Sequence, residues 1–169
     1  MRERAAIEKV IARNRAATFH YEISDRYEAG IVLRGSEVKS LREGRTSLVE
    51  AYASVERGEV WLRQLHIAGY FGARAFPHAE HGARKLLLHA KEIRELERAV
   101  DREGYTLIPL SLYFRGGRVK VELGVARGKR AHDKRAALAA REAARESEEE
   151  MSARLKRESS RRSPARRQR

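Results

Sequence analysis

Apolar and polar residues alternate in short runs through most of the first 128 positions, the period-two pattern of half-buried strands. "ATFHYEIS" (17–24) sets Phe19, Tyr21 and Ile23 against polar neighbours and predicts a strand. "AGIVLRG" follows as a β-branched run closed by Gly35. Ser36 then offers an N-cap to "EVKSLRE", a short helix with Val38 and Leu41 on one face, Lys39 and Arg42 toward solvent and Gly44 as its stop. "LVEAYASVERGEVWLRQLHI" predicts two strands joined by a turn at Arg57–Gly58. Residues 69–84 have no usable period and predict the longest loop, and "KLLLH" predicts a short apolar strand. "AKEIRELERAVDREG" places Ile93, Leu96 and Val100 on one helical face ending at Gly104. "YTLIPLSLYFRGGRVKVELGVARGK" predicts a hairpin around Gly116–Gly117, with Val119, Val121, Leu123 and Val125 inward and Arg118, Lys120 and Glu122 outward. The fold expected is mainly β: a small antiparallel β-barrel of the oligonucleotide-binding kind with short flanking helices, an α+β sandwich being the alternative.

Beyond Ala136 the pattern changes to Ala, Arg and Glu, strong helix formers with few apolar residues among them. Arg145–Glu149 and Glu150–Arg154 favour a solvated helix, while Glu142–Glu146 and Glu146–Glu150 oppose it. Leu138, Met151 and Leu155 are too few to bury a core, so this segment alone is expected to be disordered or partly helical and to order on a partner. The organisation expected is a barrel domain over residues 1–128 and a basic C-terminal tail over 129–169.

Charge sharpens that division. The 169-residue chain carries a net +13, and residues 127–169, with 15 Lys and Arg against 7 Asp and Glu, hold +8 of it. Both parts attract polyanions, the tail more strongly. Cysteine is absent, which excludes disulfides and thiol catalysis. The apolar runs fall far short of the ~20 residues that span a bilayer, and the N-terminus has acids where a secretory signal has an apolar stretch. A cytoplasmic protein without a membrane partner is expected.

Candidate chemistry is correspondingly thin. His78 and His81 stand three apart in a loop beside Gly82, without the further ligands that a metal site needs. No phosphate loop, nucleophile elbow or zinc-protease motif occurs, and the acids are scattered among bases, so neither a catalytic set, a metal nor a cofactor is expected. Tyr21, Lys39 and Lys120 combine aromatic and basic character as RNA-binding barrels require, although they read as readily as a core tyrosine and two solvated lysines. Asp133 can cap the tail helix, which leaves Lys134 and Arg135 in a first turn where cations are unfavourable unless an external anion pairs with them.

"YEAGIVLRGSEVKSLREG", "RKLLLH", "EGYTLIPLSLYF" and "KVELGVARGKRAHDKR" together resemble the small protein B, or SsrA-binding protein, family, from about Asn14 into the tail. The resemblance implies a barrel that binds the tRNA-like domain of transfer-messenger RNA and delivers it to stalled ribosomes for trans-translation, with no catalytic residue of its own. It implies RNA-binding or supporting roles for Asn14, Tyr21, Glu28, Leu87 and Lys120. It also implies that Gly128, Lys129, Arg130, His132, Asp133, Lys134 and Arg135 enter the small-subunit decoding centre, the helix beyond them lying in the empty mRNA channel. Arg130 stands where the family often has lysine, and neither loop 72–84 nor the residues after about Ser147 follow a matching pattern. A monomer is expected, with transfer-messenger RNA and the ribosome as partners. A ribosome-associated structural protein or an RNA chaperone is the alternative, and an RNA-processing enzyme a third.

Overall fold

In the computed structural model, which describes residues 7–72, 77–102, 104–129, 140 and 142–155, the chain divides into two units, Met1–Lys129 and Arg130–Arg169. The first unit runs β1 (Ile7–Arg13), α1 (Ala17–His20), β2 (Tyr21–Ile31), α2 (Gly35–Arg42), β3 (Thr46–Ser47), β4 (Tyr52–Glu56), β5 (Glu59–Arg63), β6 (His66–Ile67), β7 (Arg84–Leu87), α3 (Ala90–Val100), β8 (Tyr105–Arg115) and β9 (Arg118–Gly128). The longest alternation in the sequence forms the β8–β9 hairpin, turning at Gly116 and Gly117, both at positive φ, with Arg115 opposite Arg118 and Tyr113 opposite Lys120. That geometry needs residues that adopt left-handed backbone without a Cβ clash. Val119, Val121, Leu123 and Val125 all turn inward.

β9 pairs with β2, β2 with β7, β7 with β5, β5 with β4, and β4 returns to β8 at Ala53–Leu107. Six antiparallel strands therefore close a ring, the barrel that the pattern predicted rather than an open sandwich, and β1 lies along the C-terminal half of β8. The ring encloses Ala29, Leu62, Leu86, Leu107, Val121 and Leu123. Leu41 of α2 and Leu96 of α3 are fully buried against this core, each worth about 1.5–3 kcal/mol over an exposed position. A smaller apolar cluster of Ala17, Ile108, Leu110 and Ala126 takes Tyr21 and Ile23 at its margin.

Four expectations change. Residues 17–20 form one helical turn rather than the start of a strand, because Asn14 Oδ1 accepts the Ala17 N–H at 3.1 Å and the His20 N–H returns to the Ala16 carbonyl at 3.0 Å. β2 then runs unbroken from Tyr21 to Ile31, across a bulge between Ile23 and Asp25. Arg34, not Ser36, is the N-cap of α2: the Glu37 carboxylate accepts the Arg34 N–H at 2.7 Å, and the Ser36 hydroxyl bonds His78 instead. The strand expected to reach Ile67 breaks at Gln64, whose φ is 57°, and resumes as β6.

Glu37 has a second bond that ties the fold together. Its other oxygen lies 2.7 Å from Arg84 Nε, and the two side chains are only 7% and 3% exposed. The Arg84 guanidinium also donates to the carbonyls of Leu65, Gly82, Ala79 and Glu80. The chain before β7 is thus fixed to α2 and to the turn after β5. His78 is fixed beside it, bonded to the Ser36 hydroxyl through Nδ1 and to the Ile67 carbonyl through Nε2.

In the second unit, residues 142–155 are helical and exposed throughout, Met151 and Leu155 included. Arg145 and Glu149 pair at 2.9 Å along it. No helix among the described residues is long and apolar enough to cross a membrane.

Candidate nucleic-acid interface

Residues that turn away from the barrel core on β1, β8, β9, β2 and β7 fall into cross-strand rows. One row reads Leu87–Gly30–Lys120–Tyr113–Val10, and the next reads Glu28–Glu122–Ser111–Arg13. Three of the residues singled out from the sequence, Glu28, Leu87 and Lys120, are brought together by these two rows although 92 positions separate the first from the last. Gly30 is what opens the space between Leu87 and Lys120: a Cβ there would meet Leu87 Cβ at 3.3 Å. Leu87 itself is 54% exposed, an apolar side chain with no core to serve.

A groove in three connected lobes crosses these rows. The largest, about 680 Å3, is lined by Arg13, Arg15, Arg26, Glu28, Tyr113 and Arg115, with Asn14 in its wall. Arg26 and Glu28 also line the second, about 520 Å3, which reaches Leu87, His89, Glu92 and Lys120. Leu87 and Lys120 continue into the third, about 310 Å3, bounded by Gly30, Val38 and Arg118. Cations outnumber acids along the way, and the groove is open, as the track of an extended polyanion must be.

Asn14 is buried, and its side chain is consumed by the fold: Nδ2 donates to the Leu48 and Pro109 carbonyls at 3.4 and 3.3 Å. Together with its bond to Ala17, this clamps the end of β1 to β8 and α1, so Asn14 shapes the wall of the groove. Glu28 is the most elaborately held group. Its Oε2 accepts from the Tyr113 hydroxyl at 2.5 Å and from Arg115 Nη1. Burial pushes the Glu28 pKa up, but those two hydrogen bonds and the charges of Arg115 and Lys120 outweigh it and leave it below the ordinary carboxylate value. Tyr113 is pushed far up by burial and by Glu28, so it remains a donor. Glu122, opposite Glu28, is neutralised separately by Arg26 at 3.2 Å and accepts from Ser111 at 2.9 Å.

Two other expected residues lie off the groove lining. Tyr21 starts β2, opposite Gly128 and seven residues from Glu28, roughly 23 Å along an extended strand. Lys39 sits on α2 with its ammonium 5.2 Å from the Tyr70 ring centre. Lys129, expected in the tail motif, bonds the body: its N–H donates to the His20 carbonyl at 3.0 Å and its Nζ to the Thr18 carbonyl at 2.8 Å. Arg130, His132, Asp133, Lys134 and Arg135 lie outside the described residues. Sequence reasoning missed Arg13, Arg26, Tyr113 and Arg115. For Tyr113 the signal was present, because a two-residue turn at Gly116–Gly117 puts it opposite Lys120.

Comparison with known proteins places the chain among relatives of one kind. A family model described as SmpB protein matches residues 11–153. SsrA-binding proteins from a Nocardioides species and from Mycolicibacterium smegmatis are 51% and 55% identical over 148 residues, 88% of this chain and 93% and 92% of theirs. The SsrA-binding protein of Thermobifida fusca is 55% identical over 140 residues, 83% of this chain and 88% of its own. A solved structure described as "tmRNA-SmpB: a journey to the center of the bacterial ribosome" contains a chain 46% identical, with a TM-score of 0.62 over 72% of this chain and 85% of that one.

Proposed function

The chain belongs to the SmpB protein family, and from that premise we propose that it is an RNA-binding adaptor of ribosome rescue. It binds the tRNA-like domain of transfer-messenger RNA across the outer face of β7, β2, β9 and β8 and delivers that RNA to stalled ribosomes in the cytoplasm. It acts as a monomer, with a barrel over residues 1–128 and a tail over 129–169. The tail motif Gly128, Lys129, Arg130, His132, Asp133, Lys134 and Arg135 occupies the decoding centre, and the helix beyond it occupies the empty mRNA channel. The chain contributes binding and placement, with no catalytic step, metal or cofactor of its own.

The observation that carries this reading is the meeting of Glu28, Leu87 and Lys120 in one cation-lined groove, with Asn14 shaping its wall. Lys120 neutralises a phosphate, exposed Leu87 lies against a ribose or base face, and Gly30 lets the RNA approach the sheet backbone. Tyr21 and Lys39 extend the footprint beyond the groove. Sequencing the RNA that copurifies with the protein from a bacterial lysate tests the proposal. One dominant small RNA, transfer-messenger RNA, is the expected result, and ribosomal RNA alone would overturn it.

Lys120 gives a quantitative check. If it contacts a phosphate, Lys120→Ala should weaken binding and make the slope of log affinity against log salt shallower by about 1. Titrations at four salt concentrations measure it. A slope equal to that of the parent would remove Lys120 from the interface.

A further inference from the structure

A carboxylate in an RNA-binding groove needs an explanation, since it repels the phosphates that the neighbouring cations attract. Glu28 is not there to fill a hole in the core, because its side chain is 33% exposed on the groove side. Nor is it there to free Arg115 for RNA. That side chain is 21% exposed, its guanidinium lies 5.5 Å from the Tyr113 ring centre, and its Nε is buried with no acceptor among the described residues. An arginine drawn in so far that a donor goes unpaired is serving the carboxylate, and not the reverse. Tyr113 and Arg115 both converge on Oε2; no donor to Oε1 occurs among the described residues.

We propose that Tyr113 and Arg115 are positioning residues for RNA recognition: they hold Oε2 of Glu28 so that Oε1 faces the groove as an acceptor for a neutral hydrogen-bond donor of the RNA. That donor is a ribose 2′-hydroxyl or a base N–H, the groups to which a carboxylate can bind in a polyanion. Glu28 thereby discriminates where Lys120 and the arginines only attract. A phosphate set against it is penalised, and a correctly placed donor gains a charge-assisted bond without the cost of ordering a flexible side chain. This rests on the proposed binding of the tRNA-like domain in the groove.

The test compares the full chain with Tyr113→Phe, with Tyr113→Phe/Arg115→Gln and with Arg115→Lys. Binding is titrated against the tRNA-like domain RNA and against an unrelated RNA hairpin of equal length. At pH 7.5 the double variant should bind the tRNA-like domain about tenfold more weakly, the scale of one lost charge-assisted bond. Its affinity for the unrelated hairpin should fall by no more than about threefold, the general loss of one groove cation. Arg115→Lys, which keeps a cation and an N–H donor beside Glu28, should retain the preference for the tRNA-like domain.

The pH profile separates positioning from simple support of the fold. Without its two donors, Glu28 keeps the burial that favours its neutral form, so the double variant should lose further affinity as pH falls from 7.5 to 5.5. The parent should not show this loss. The charged and titratable groups that line the two lobes with Glu28 are Tyr113 and Arg115 on β8, Glu122 and Lys120 on β9, Arg13 on β1 and Arg15 just after it, Arg26 and Tyr27 on its own strand, and His89 and Glu92 across the second lobe. A histidine gains positive charge as pH falls, which strengthens RNA binding and so acts in the opposite direction. Thermal melting controls for folding; should the double variant unfold, Tyr113→Phe, which deletes one hydroxyl, carries the same comparison. Parent-like affinity and a parent-like pH profile in a folded variant overturn the inference. A parent that does not prefer the tRNA-like domain over the hairpin overturns the binding reading beneath it. Single 2′-deoxy substitutions in the RNA, titrated against parent and Glu28→Gln, identify the donor. A position whose deoxy penalty disappears in Glu28→Gln marks a hydroxyl, and no such position marks a base N–H.

Discussion

Glu37→Ala should destabilise the folded body by about 3–5 kcal/mol, the loss expected when one partner of a buried ion pair is removed and the other charge is left without its counter-ion. Set against a total stability of about 5–15 kcal/mol, that is a large fraction of the fold. Three losses combine at this site. The Arg84 guanidinium, 3% exposed, loses its only carboxylate among the described residues; the Arg34 N–H loses the acceptor that caps α2; and a small void opens beneath the helix. The four carbonyls held by Arg84 remain, but a cation satisfied only by carbonyl dipoles is still a buried charge. Glu37→Gln fills the void and keeps one of the two acceptors, its amide NH2 facing the donor that loses the other, so it should still be destabilising but cost less than Glu37→Ala. Urea unfolding followed by the fluorescence of Trp61, the single tryptophan, measures both. An alanine variant within about 1 kcal/mol of the parent would mean that water or a nearby group replaces Glu37 readily, and the pair would then be no keystone.

That pair also marks where reading the sequence stops. Glu37 and Arg84 are 47 positions apart, and each looks from its neighbours like an ordinary solvated residue; only closure of the barrel brings them together and buries them. The β8–β9 hairpin was legible because two glycines set the turn and the alternation runs unbroken into Val125. α3 was legible for the matching reason, a single apolar face closed by Gly104 at positive φ. β1 was not. Its pairing with β8 shifts register between Ile7 and Lys9 and again between Val10 and Ala12, so the apolar residues fall out of step with a period of two. Missing β1 hid Arg13 and Arg15, and with them one wall of the groove. α1 was hidden by a single side chain, since Asn14 supplies the bond that turns residues 17–20 into a helix.

The site was legible unevenly, and for a different reason. Glu28 and Leu87 were named from a family resemblance and Lys120 from its charge on an outward strand position as well, whereas their grouping follows from strand register once the hairpin and its neighbours are paired. Given the turn at Gly116–Gly117, Tyr113 is the cross-strand partner of Lys120, and Arg115 follows it on the same face. Their convergence on Glu28 is a matter of side-chain reach across the sheet, which alternation does not encode. Tyr21 shows the converse. Its aromatic character was legible, but its place at the edge of a small apolar cluster, at the far end of β2 from Glu28, was not.

The largest functional effect should come from the tail. Cutting the chain after Lys129, or replacing Asp133, Lys134 and Arg135 together by Ala, should abolish peptide tagging on stalled ribosomes. Affinity for transfer-messenger RNA should stay within about threefold, less than 1 kcal/mol. The cut belongs after Lys129, because its backbone and side chain both hold α1. Among the described residues, the buried members of the two apolar clusters lie between Ala17 and Ala126, with Ile11 and Ala12 packed against them, and the groove is lined from Val10 to Glu122, so the core and the groove are both built from the body. The helix over residues 142–155 is exposed along its length and brings only Met151 and Leu155 as large apolar groups, too little to serve as a second core. If the tail acts, it acts outward. The competing account makes it a diffuse electrostatic anchor, and charge decides between the two. The triple substitution removes one acid and two bases, a net change of 1 from the +8 carried by residues 127–169. By counterion release, an anchor weakened that little should tag nearly as well as the parent, whereas a motif that must fit the decoding centre should fail. A reconstituted tagging reaction run beside an RNA titration gives the answer: near-parental tagging sinks the decoding role, and loss of tagging together with RNA affinity assigns the tail to holding the RNA.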